Sequence, residues 1–405
     1  MKIGEFASSN NISIDTVRHY VELGFILPAR KGAQSVYDGQ CAADLSEVLE
    51  LKEMGLTLNE IKSVFTFKRL GRLTAYQENP AYLDIFKNRY RQLAAGIEEL
   101  QHRKSKLENR LAEFNRQAAG GCRHGFDFRG LDLFCCAACG GELALLEARI
   151  ADNLITDARL GCKCGRECSI ADGILFAGGA EREAGGFDEK RIAEYIETTD
   201  EAYLRNVYRG LDWLRRKLDL KSSGNKVLLE LGSGYGFFLR HIYEDLPENT
   251  AYIAVDRDIN SHRLLKQMLE KAPRRKNIFL VCSDFLELPL KGGAADFVLD
   301  LSGTSNYSFE HEEFLPEKMA GYFKAGAELL GNYIIFGNFA ADTLVEERFR
   351  KNFKPGSIKR MLESSGFEII DEATGEYLEK AGKFENYFKK GERVNSYSLH
   401  AKRRG

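Results

Sequence analysis

A group of cysteines is the first set of residues whose types and spacing could support chemistry. Six of the nine cysteines fall between positions 135 and 168. They include two close pairs, Cys136 with Cys139 and Cys162 with Cys164, separated by an insert of hairpin length. Thiolates on two such turns can bind one Zn²⁺ ion tetrahedrally, and in a reducing compartment such a cluster indicates metal rather than disulfides. The sequence therefore predicts a zinc site, with a metal-free thiol cluster as the alternative.

A glycine-rich turn is the second such feature. The apolar stretch Val227–Leu231 is typical of a buried strand and runs into Gly232, Gly234 and Gly236, after which a helix is expected from Phe237. Because these glycines lack side chains, the backbone can approach a ligand closely where a parallel sheet opens. A dinucleotide-binding turn would have its third glycine at position 237, so this turn favours a smaller ligand.

Acidic residues lie at corresponding places around the next strands. Asp256 ends the second strand, where a carboxylate can accept hydrogen bonds from both hydroxyls of a ribose. Asp284 follows the third strand and can accept a bond from an adenine amino group, while Phe285 can cover the ring. Glu230, just before the glycine turn, is assigned to the same site. A lone acid at a strand end is usually only solvated, so the prediction depends on the joint order of these residues.

Residues 187–405 resemble a class I S-adenosylmethionine-dependent methyltransferase, on the glycine turn, the second-strand acid and the Asp-Phe pair. Ser364-Ser365-Gly366-Phe367 also resembles that family's turn into its sixth strand. The resemblance implies S-adenosylmethionine as the cofactor, a doubly wound, Rossmann-like α/β sheet of seven strands, and an antiparallel last strand. The expected strands are Val227–Leu231, Ala251–Asp256, Ile278–Cys282, Phe297–Asp300, Tyr333–Phe336, Phe367–Ile370 and Ser396–His400.

The methyl acceptor stays open between a small molecule and RNA. The chain has neither the Asn/Asp-Pro-Pro-Tyr/Phe signature of enzymes that methylate exocyclic base amines nor the Cys-Pro pair of cytosine-C5 enzymes. Asp300, at the end of the fourth strand, and Asn306, Tyr307 and His311 are expected to face the acceptor. His311 is a candidate general base, although a lone histidine in a loop is more often a surface residue. Methyl transfer depends more on alignment and desolvation than on a strong base.

The segment from Cys164 to Ile174 is similar to zinc ribbons that precede or partner RNA methyltransferases. In those ribbons a Tyr usually stands at the place of Cys168. On this resemblance Cys162 and Cys164 form the second ligand pair and Cys168 is a packing residue. The ribbons usually space that pair by two residues, so Cys168 remains an alternative ligand.

The first hundred residues resemble the MerR family of transcription regulators. The matching segments are Lys2–Ala7, Ile12–Tyr20, Leu23–Pro28, Tyr37 and Leu51–Ile61. The resemblance implies a winged helix-turn-helix that binds double-stranded DNA. A recognition helix would carry Ser13, Thr16, Arg18 and Tyr20, and a wing would carry Arg30, Lys31 and Tyr37. By the resemblance, Arg18, Tyr20 and the wing residues approach the DNA backbone. A winged helix repurposed for protein contacts is the alternative.

A long amphipathic helix is predicted from Pro80 to about Gln117. Its apolar positions alternate by three and four through about five heptads, with polar residues on the other faces, which is typical of a coiled coil. The resemblance implies the same, because the MerR family forms an antiparallel dimer coil here. One long helix packed on its own protein is the alternative to this homodimer.

The totals are those of a folded, multi-domain protein. The chain has 405 residues, 44% hydrophobic and 29% charged, with a formal net charge of −2, so any nucleic-acid site must be a local patch. Neither a signal peptide nor an apolar run of the roughly 18 residues that span a membrane is found, so we expect a cytoplasmic protein.

The expected parts are a winged helix over 1–75, a coiled-coil helix over 76–120, a small β zinc ribbon over 130–178, a glycine-rich linker over 178–186 and a methyltransferase domain over 187–405.

Two hypotheses follow for the whole chain. The protein is a MerR-type regulator whose last domain methylates a small molecule or RNA, or that domain is a non-catalytic sensor that only controls DNA binding. The set of cofactor residues favours turnover, and the fusion to a DNA-binding segment favours sensing.

Overall fold

The computed structural model describes residues 1–32, 34–71, 76–118, 121–177, 190–301, 303–379, 385 and 387–405. The predicted glycine-rich linker lies outside the described residues. The chain forms two compact units, Met1–Arg116 and Gln117–Gly405. Among the described helices, none is both long enough and apolar enough to cross a membrane.

The first unit is helical with one small hairpin. Its helices are α1 (Ile3–Ser9), α2 (Ile14–Glu22), α3 (Gly39–Glu53), α4 (Leu58–Leu70) and α5 (Pro80–Ala118), and its strands are β1 (Ala29–Lys31) and β2 (Gln34–Val36). Ser13 caps α2 by accepting a hydrogen bond from the backbone N–H of Thr16. Thr57 and Glu60 form the reciprocal capping box that opens α4. The short helices and the wing therefore have the predicted order.

The first turns of the long helix α5 pack against the rest of the first unit. Tyr82, Ile85 and Phe86 contact the apolar core of the first unit. Farther along, Leu93, Ile97 and Leu100 are exposed, and the apolar residues at predicted heptad positions as far as Phe114 are exposed as well. This stripe is the surface that the predicted coiled coil would bury.

The second unit is built on one twelve-stranded sheet. Its strands are β3 (Phe126–Asp127), β4 (Leu143–Ala151), β5 (Leu154–Cys162), β6 (Glu167–Ala171), β7 (Ile174–Phe176), β8 (Val227–Leu231), β9 (Ala251–Asp256), β10 (Ile278–Cys282), β11 (Ala295–Asp300), β12 (Phe323–Asn338), β13 (Phe367–Thr374) and β14 (Arg393–Arg403). Their order is β13-β14-β12-β11-β8-β9-β10-β7-β6-β5-β3, with β4 paired to β5. The run from β12 to β7 is parallel and β14 is antiparallel, in agreement with the predicted fold.

Helices cover both faces of this sheet. They are α6 (Lys190–Thr198), α7 (Glu201–Lys217), α8 (Phe237–Ile242), α9 (Ile259–Glu270), α10 (Gly303–Tyr307), α11 (Leu315–Lys318) and α12 (Pro355–Ser364). Leu229 and Ile253 lie in one apolar core, which includes residues of α12. Leu228 and Tyr252 lie in the other, which includes residues of α7, α8 and α9. Because successive residues of a strand face opposite sides, both faces must be apolar, and the sheet is doubly wound as predicted.

Two features of the sheet differ from the expected outline. Strand β12 begins at Phe323 rather than Tyr333. Its first six residues mix buried, partly buried and exposed side chains, so this part of the strand lacks a continuous apolar run. The cysteine-bearing hairpins, β4–β5 and β5–β6, belong to the main sheet. Strand β6 pairs with the buried strand β7, and β7 pairs in parallel with β10. The expected ribbon is thus continuous with the sheet that carries the glycine turn.

Candidate cofactor, metal and DNA-binding sites

The glycine turn after β8 needs glycine for steric reasons. Gly232, Gly234 and Gly236 have φ angles of 68°, 49° and 67°, a region that favours glycine. A Cβ atom on Gly236 would lie 2.5 Å from a methyl carbon of Leu265 on α9. The turn therefore packs against α9 while its backbone stays open at the carboxyl edge of the sheet.

Asp256, at the end of β9, joins this turn to the start of α9. One carboxylate oxygen accepts a hydrogen bond from Gly234 N at 2.8 Å, and the other accepts one from Asp258 N at 2.9 Å. The Asp258 carboxylate in turn caps α9 by accepting a hydrogen bond from Asn260 N. The half-buried carboxylate thus holds two backbone segments around one opening in the sheet.

A cavity of about 310 Å³ brings most of the predicted cofactor residues together. We call it the Asp256 cavity. Its lining includes the predicted residues Gly232, Asp256, Asp284, Phe285, Asn306, Tyr307 and His311. These residues come from the ends of separate strands and from the segment after β11. The cavity therefore lies where a doubly wound sheet binds its ligand.

Two stacked rings lie in the wall of the Asp256 cavity. The His311 ring stacks on Tyr307, with ring centres 3.9 Å apart and an angle of 8° between planes. His311 Nδ1 lies 3.1 Å from the carbonyl oxygen of Tyr307. After β10, Asp284 accepts a hydrogen bond from Leu286 N at 2.8 Å, and Phe285 is half-buried. Flat ring surfaces are thus available to a planar ligand.

Glu230 lines a second cavity, of about 140 Å³, which we call the Glu230 cavity. Gly232 belongs to the walls of both cavities. The buried Glu230 accepts a hydrogen bond from the Tyr252 hydroxyl at 2.8 Å. Burial raises the pKa of Glu230 to about 8, so its carboxyl group is mostly protonated at neutral pH.

Replacing Glu230 with Gln is expected to reduce the pH dependence of folding stability. The folded-state pKa of about 8 lies above the ordinary 4.5, so the folded protein holds this proton more tightly than the unfolded chain does. That stabilisation is fully present below about pH 4.5 and is lost as pH rises toward about 8. The free energy of unfolding of the wild type should fall across this window by on the order of a few kcal/mol more than that of Glu230→Gln. Thermal denaturation without ligand measures both slopes, and equal slopes would contradict the prediction.

Asp300 has a different environment from the one expected of a residue at the acceptor. Its side chain is completely buried, and it accepts hydrogen bonds from the backbone N–H and the hydroxyl of Thr304. It lines neither of the two cavities. The correction is that this carboxylate holds the start of α10 in place, because it accepts both hydrogen bonds from Thr304 of that helix.

The four predicted thiols converge at one point. The Sγ atoms of Cys136, Cys139, Cys162 and Cys164 all lie within 4.8 Å of one another. The Cys136–Cys164 distance is 3.6 Å and the Cys139–Cys162 distance is 3.5 Å. Four sulfurs at about 2.3 Å from one tetrahedral zinc ion would be roughly 3.8 Å apart, so this donor set fits Zn²⁺.

Backbone turns hold both thiol pairs, and the alternative ligand Cys168 lies outside the group. Gly140 N donates to Cys136 O at 2.8 Å, and Gly165 N donates to Cys162 O at 2.9 Å. Cys168 instead packs against the main apolar core, where burial raises the pKa of its thiol to about 11. The cluster therefore contains the pair Cys162 and Cys164 rather than Cys168.

The predicted DNA-binding residues divide into exposed and buried ones. Ser13 and Arg18 are exposed on α2, and Thr16 is half-buried. The Arg18 side chain is 64% exposed and forms an ion pair with Asp15 at 3.2 Å. Arg30 and Lys31 are exposed on β1. These side chains are accessible to a polyanion, and the basic ones supply the charge that phosphate contacts need.

The two predicted tyrosines belong to the core of the first unit instead. Tyr20 is 2% exposed, and its hydroxyl accepts a hydrogen bond from Lys52 Nζ at 3.2 Å. Tyr37 is 3% exposed and stacks on Phe6 with ring centres 4.8 Å apart. Their placement toward DNA phosphates is therefore corrected, because both rings fill the apolar interior.

Sequence reasoning missed most of the Glu230 cavity. Asn206 on α7, Asn332 on β12 and Asn395 on β14 line it, as does Ser233 within the glycine turn. Only Ser233 had a local signal, since it lies inside a recognised motif. The three asparagines come from distant parts of the chain and share no spacing that would bring them to notice.

The N-terminal segment is similar to known transcription regulators. Residues 1–68 match the family described as MerR HTH family regulatory protein. The HTH-type transcriptional regulator ZntR homolog of Haemophilus influenzae is 27% identical over 109 residues, which cover 26% of this chain and 78% of that protein.

About half of the chain is similar to solved structures of methyltransferases. A Mesorhizobium loti S-adenosylmethionine-dependent methyltransferase has a TM-score of 0.33 and 16% identity, covering 47% of this chain and 96% of its own. Haemonchus contortus phosphoethanolamine N-methyltransferase 2, in complex with S-adenosyl-L-methionine, has a TM-score of 0.36 and 13% identity, covering 49% and 53%. These values concern general similarity of fold and carry no information on activity. The chain therefore begins with a MerR-type helix-turn-helix domain and continues into a doubly wound α/β domain.

Proposed function

We propose that the protein is a MerR-type DNA-binding regulator whose second unit binds S-adenosylmethionine and transfers its methyl group to a small molecule or RNA. The observation that carries this proposal is the Asp256 cavity, which gathers Gly232 of the glycine turn, two strand-end acids and Phe285. Each Asp256 oxygen holds one backbone N–H and keeps a further lone pair for a ribose hydroxyl. Asp284 and Phe285 would bind the adenine edge and face.

The bound cofactor would supply an activated methyl group on a sulfonium ion. The chain's own contribution is to align the two reactants and to keep water away from them. Gly232 is common to both cavities and is thus the point where the two reactants would meet. His311 and Asn306, in the segment after β11, line the Asp256 cavity beside the cofactor residues.

The four clustered cysteines are proposed to hold one structural Zn²⁺ ion. A site with four protein ligands leaves no open position for a substrate, so its role would be to fix the two hairpins. The fit of the donor set, with all sulfurs within 4.8 Å, supports this assignment.

The first unit is proposed to bind double-stranded DNA as a homodimer. The match of residues 1–68 to MerR regulators and the exposed basic residues Arg18, Arg30 and Lys31 support DNA binding. The exposed apolar stripe of α5 supports a coiled-coil dimer, since such a surface is stabilised by a partner helix.

A non-catalytic sensor is the second candidate. The observation that favours it is the fusion itself, because one chain joins a regulator-type DNA-binding segment to a ligand cavity. The cavity would then couple cofactor binding to DNA affinity rather than to turnover.

Transfer of labelled methyl from S-adenosylmethionine into an extract of the source organism, with cofactor binding measured by calorimetry, tests the proposal. We expect binding together with label in an acceptor. Binding without transfer favours the sensor, and absence of binding contradicts both candidates.

Replacing Arg18 with Ala is expected to weaken DNA binding to all sequences by a similar factor. The side chain is exposed and cationic, so its loss removes about one phosphate contact and lowers the salt slope of binding by about 1. Titration of duplex DNA at several salt concentrations measures this, with Arg18→Lys as the charge-conserving control. Unchanged affinity and slope would favour the use of the winged helix for protein contacts.

A further inference from the structure

The position of the Glu230 cavity suggests which reactant it takes. The winding of the parallel sheet reverses at β8, with β9 and β10 on one side and β11 and β12 on the other. The Asp256 cavity lies at the ends of β9 and β10 and is closed by the segment that follows β11. The Glu230 cavity lies on the side of β11 and β12, between α7, β12 and the start of β14. If the cofactor's nucleoside occupies the Asp256 cavity, the Glu230 cavity remains for the methyl acceptor, with Gly232 between them.

The described walls of the Glu230 cavity are mostly apolar or carry uncharged polar groups. Tyr203 and Tyr387 line it with hydroxyl groups 2.8 Å apart, and apolar residues such as Val207 and Val394 make up much of the rest. The only carboxyl group in the described lining is that of Glu230, which is bonded to Tyr252. The described lining includes no Lys, Arg or His. Moving a phosphate or carboxylate from water into such surroundings costs free energy that no opposite charge here would offset.

The Ser233 hydroxyl is a polar group that this cavity offers to a ligand. The Ser233 side chain is 4% exposed, and its hydroxyl has no hydrogen-bond partner within the described structure. Asn395, by contrast, donates to Gly375 O at 2.5 Å and accepts from Ser396 N at 2.6 Å, so its amide is occupied by the fold. A buried hydroxyl without a partner destabilises the fold, and a ligand group that bonds to it would remove that cost.

We infer that the Glu230 cavity binds the methyl acceptor and that this acceptor is a small molecule without phosphate or carboxylate groups, bonded to Ser233, rather than RNA. This inference rests on the proposed function. RNA binding depends mainly on phosphate contacts from Lys and Arg, whereas a cavity of about 140 Å³ lined mostly by apolar and uncharged polar groups suits a compact uncharged molecule. In the transfer, a lone pair of the acceptor forms the new bond to the methyl carbon. The carbon–sulfur bond breaks with its electron pair remaining on sulfur, and the acceptor's proton passes to water.

The test uses the full-length protein, labelled S-adenosylmethionine and an extract separated into RNA, protein and small-molecule fractions. We expect label in the small-molecule fraction only. Val207→Phe, which places a ring in the cavity, should reduce transfer at least about tenfold while the affinity for S-adenosylmethionine stays within about twofold. Arg205→Phe adds the same ring at an exposed position of α7 and should transfer like the wild type. Ser233→Ala should lower transfer by about tenfold, as expected for one lost hydrogen bond to a buried group.

The outcomes separate this inference from the proposed function. If the wild type does not bind S-adenosylmethionine, the proposed function fails. Binding with label in RNA or protein overturns the acceptor class, as does binding with label in no fraction. Small-molecule label that persists in Val207→Phe at the wild-type rate overturns the assignment of the cavity.

Discussion

Asp256→Ala is expected to abolish measurable binding of S-adenosylmethionine, with a loss of at least about a hundredfold in affinity. Two effects add at this position. The ribose would lose two hydrogen bonds to a charged group, each of which contributes about 1.5–3 kcal/mol. The glycine turn would also lose the acceptor of Gly234 N, and the start of α9 would lose that of Asp258 N. Calorimetric titration of each variant with S-adenosylmethionine measures the result.

Two further variants separate ligand contacts from support of the turn. Asp256→Asn keeps an oxygen that can accept from Gly234 N but removes the charge, so it should bind more weakly than the wild type and more tightly than Asp256→Ala. Glu248→Ala removes an exposed acid near the opposite end of β9 and should bind like the wild type. Wild-type affinity in a folded Asp256→Ala protein, with an unchanged melting temperature, would remove the ribose assignment.

The parts of the fold that the sequence predicted best are those buried on both faces. Strands β8, β9 and β10 have the predicted bounds, since a continuous apolar run flanked by turns leaves little freedom for such a strand. The start of β12 escaped notice because its burial alternates, and polar residues such as Lys324 and Glu328 interrupt it. The joining of β7 to β10 was not predictable, because it pairs segments that are distant in sequence.

The candidate site divides in a similar way. Strand-end residues such as Asp256 and Asp284 could be placed together, because parallel strands bring their carboxyl ends to one edge. The same rule wrongly placed Asp300 at the methyl acceptor. Its carboxylate is instead bonded to Thr304, a contact that the strand pattern does not predict. The resemblance placed Tyr20 and Tyr37 near DNA, but a tyrosine's position does not indicate whether its ring faces the solvent or the core. Three-dimensional packing, rather than residue type, decides these cases.

Removal of the metal is expected to weaken the binding of S-adenosylmethionine, because the cysteine-bearing hairpins hold the turn that carries Asp284 and Phe285. Before that turn, Ala177 N, which follows β7, donates to Cys282 O at 3.1 Å. After it, Cys135 N donates to Pro289 O and Lys291 N donates to Leu133 O, each at 2.9 Å. Cys135 is adjacent to a proposed metal ligand, and β7 pairs with β6, which follows the second thiol turn.

Metal binding and cofactor binding should therefore be coupled. Without the ion, four thiols that pack within 4.8 Å of one another lose the bonds that hold the hairpins, and the segment 283–291 loses support at both ends. We expect Cys139→Ser, or treatment with a chelator, to lower the affinity for S-adenosylmethionine at least about tenfold, a change of about 1.4 kcal/mol. Hydrogen exchange of backbone amides in 283–291 should become faster even without cofactor, which is a readout independent of methyl transfer.

Cys168→Ala provides the matched control, because this cysteine lies near the cluster but outside the group of four thiols. It should retain one zinc ion per chain by metal analysis and bind S-adenosylmethionine like the wild type. Loss of zinc in Cys168→Ala would instead make Cys168 a ligand. Purified wild type without zinc would contradict the metal assignment, whereas metal-free protein with unchanged cofactor affinity and unchanged exchange would contradict the coupling alone. In the described residues the two sites are joined by backbone hydrogen bonds, sheet pairing and packing in one apolar core, so a measured coupling would show that the hairpins position the cofactor turn.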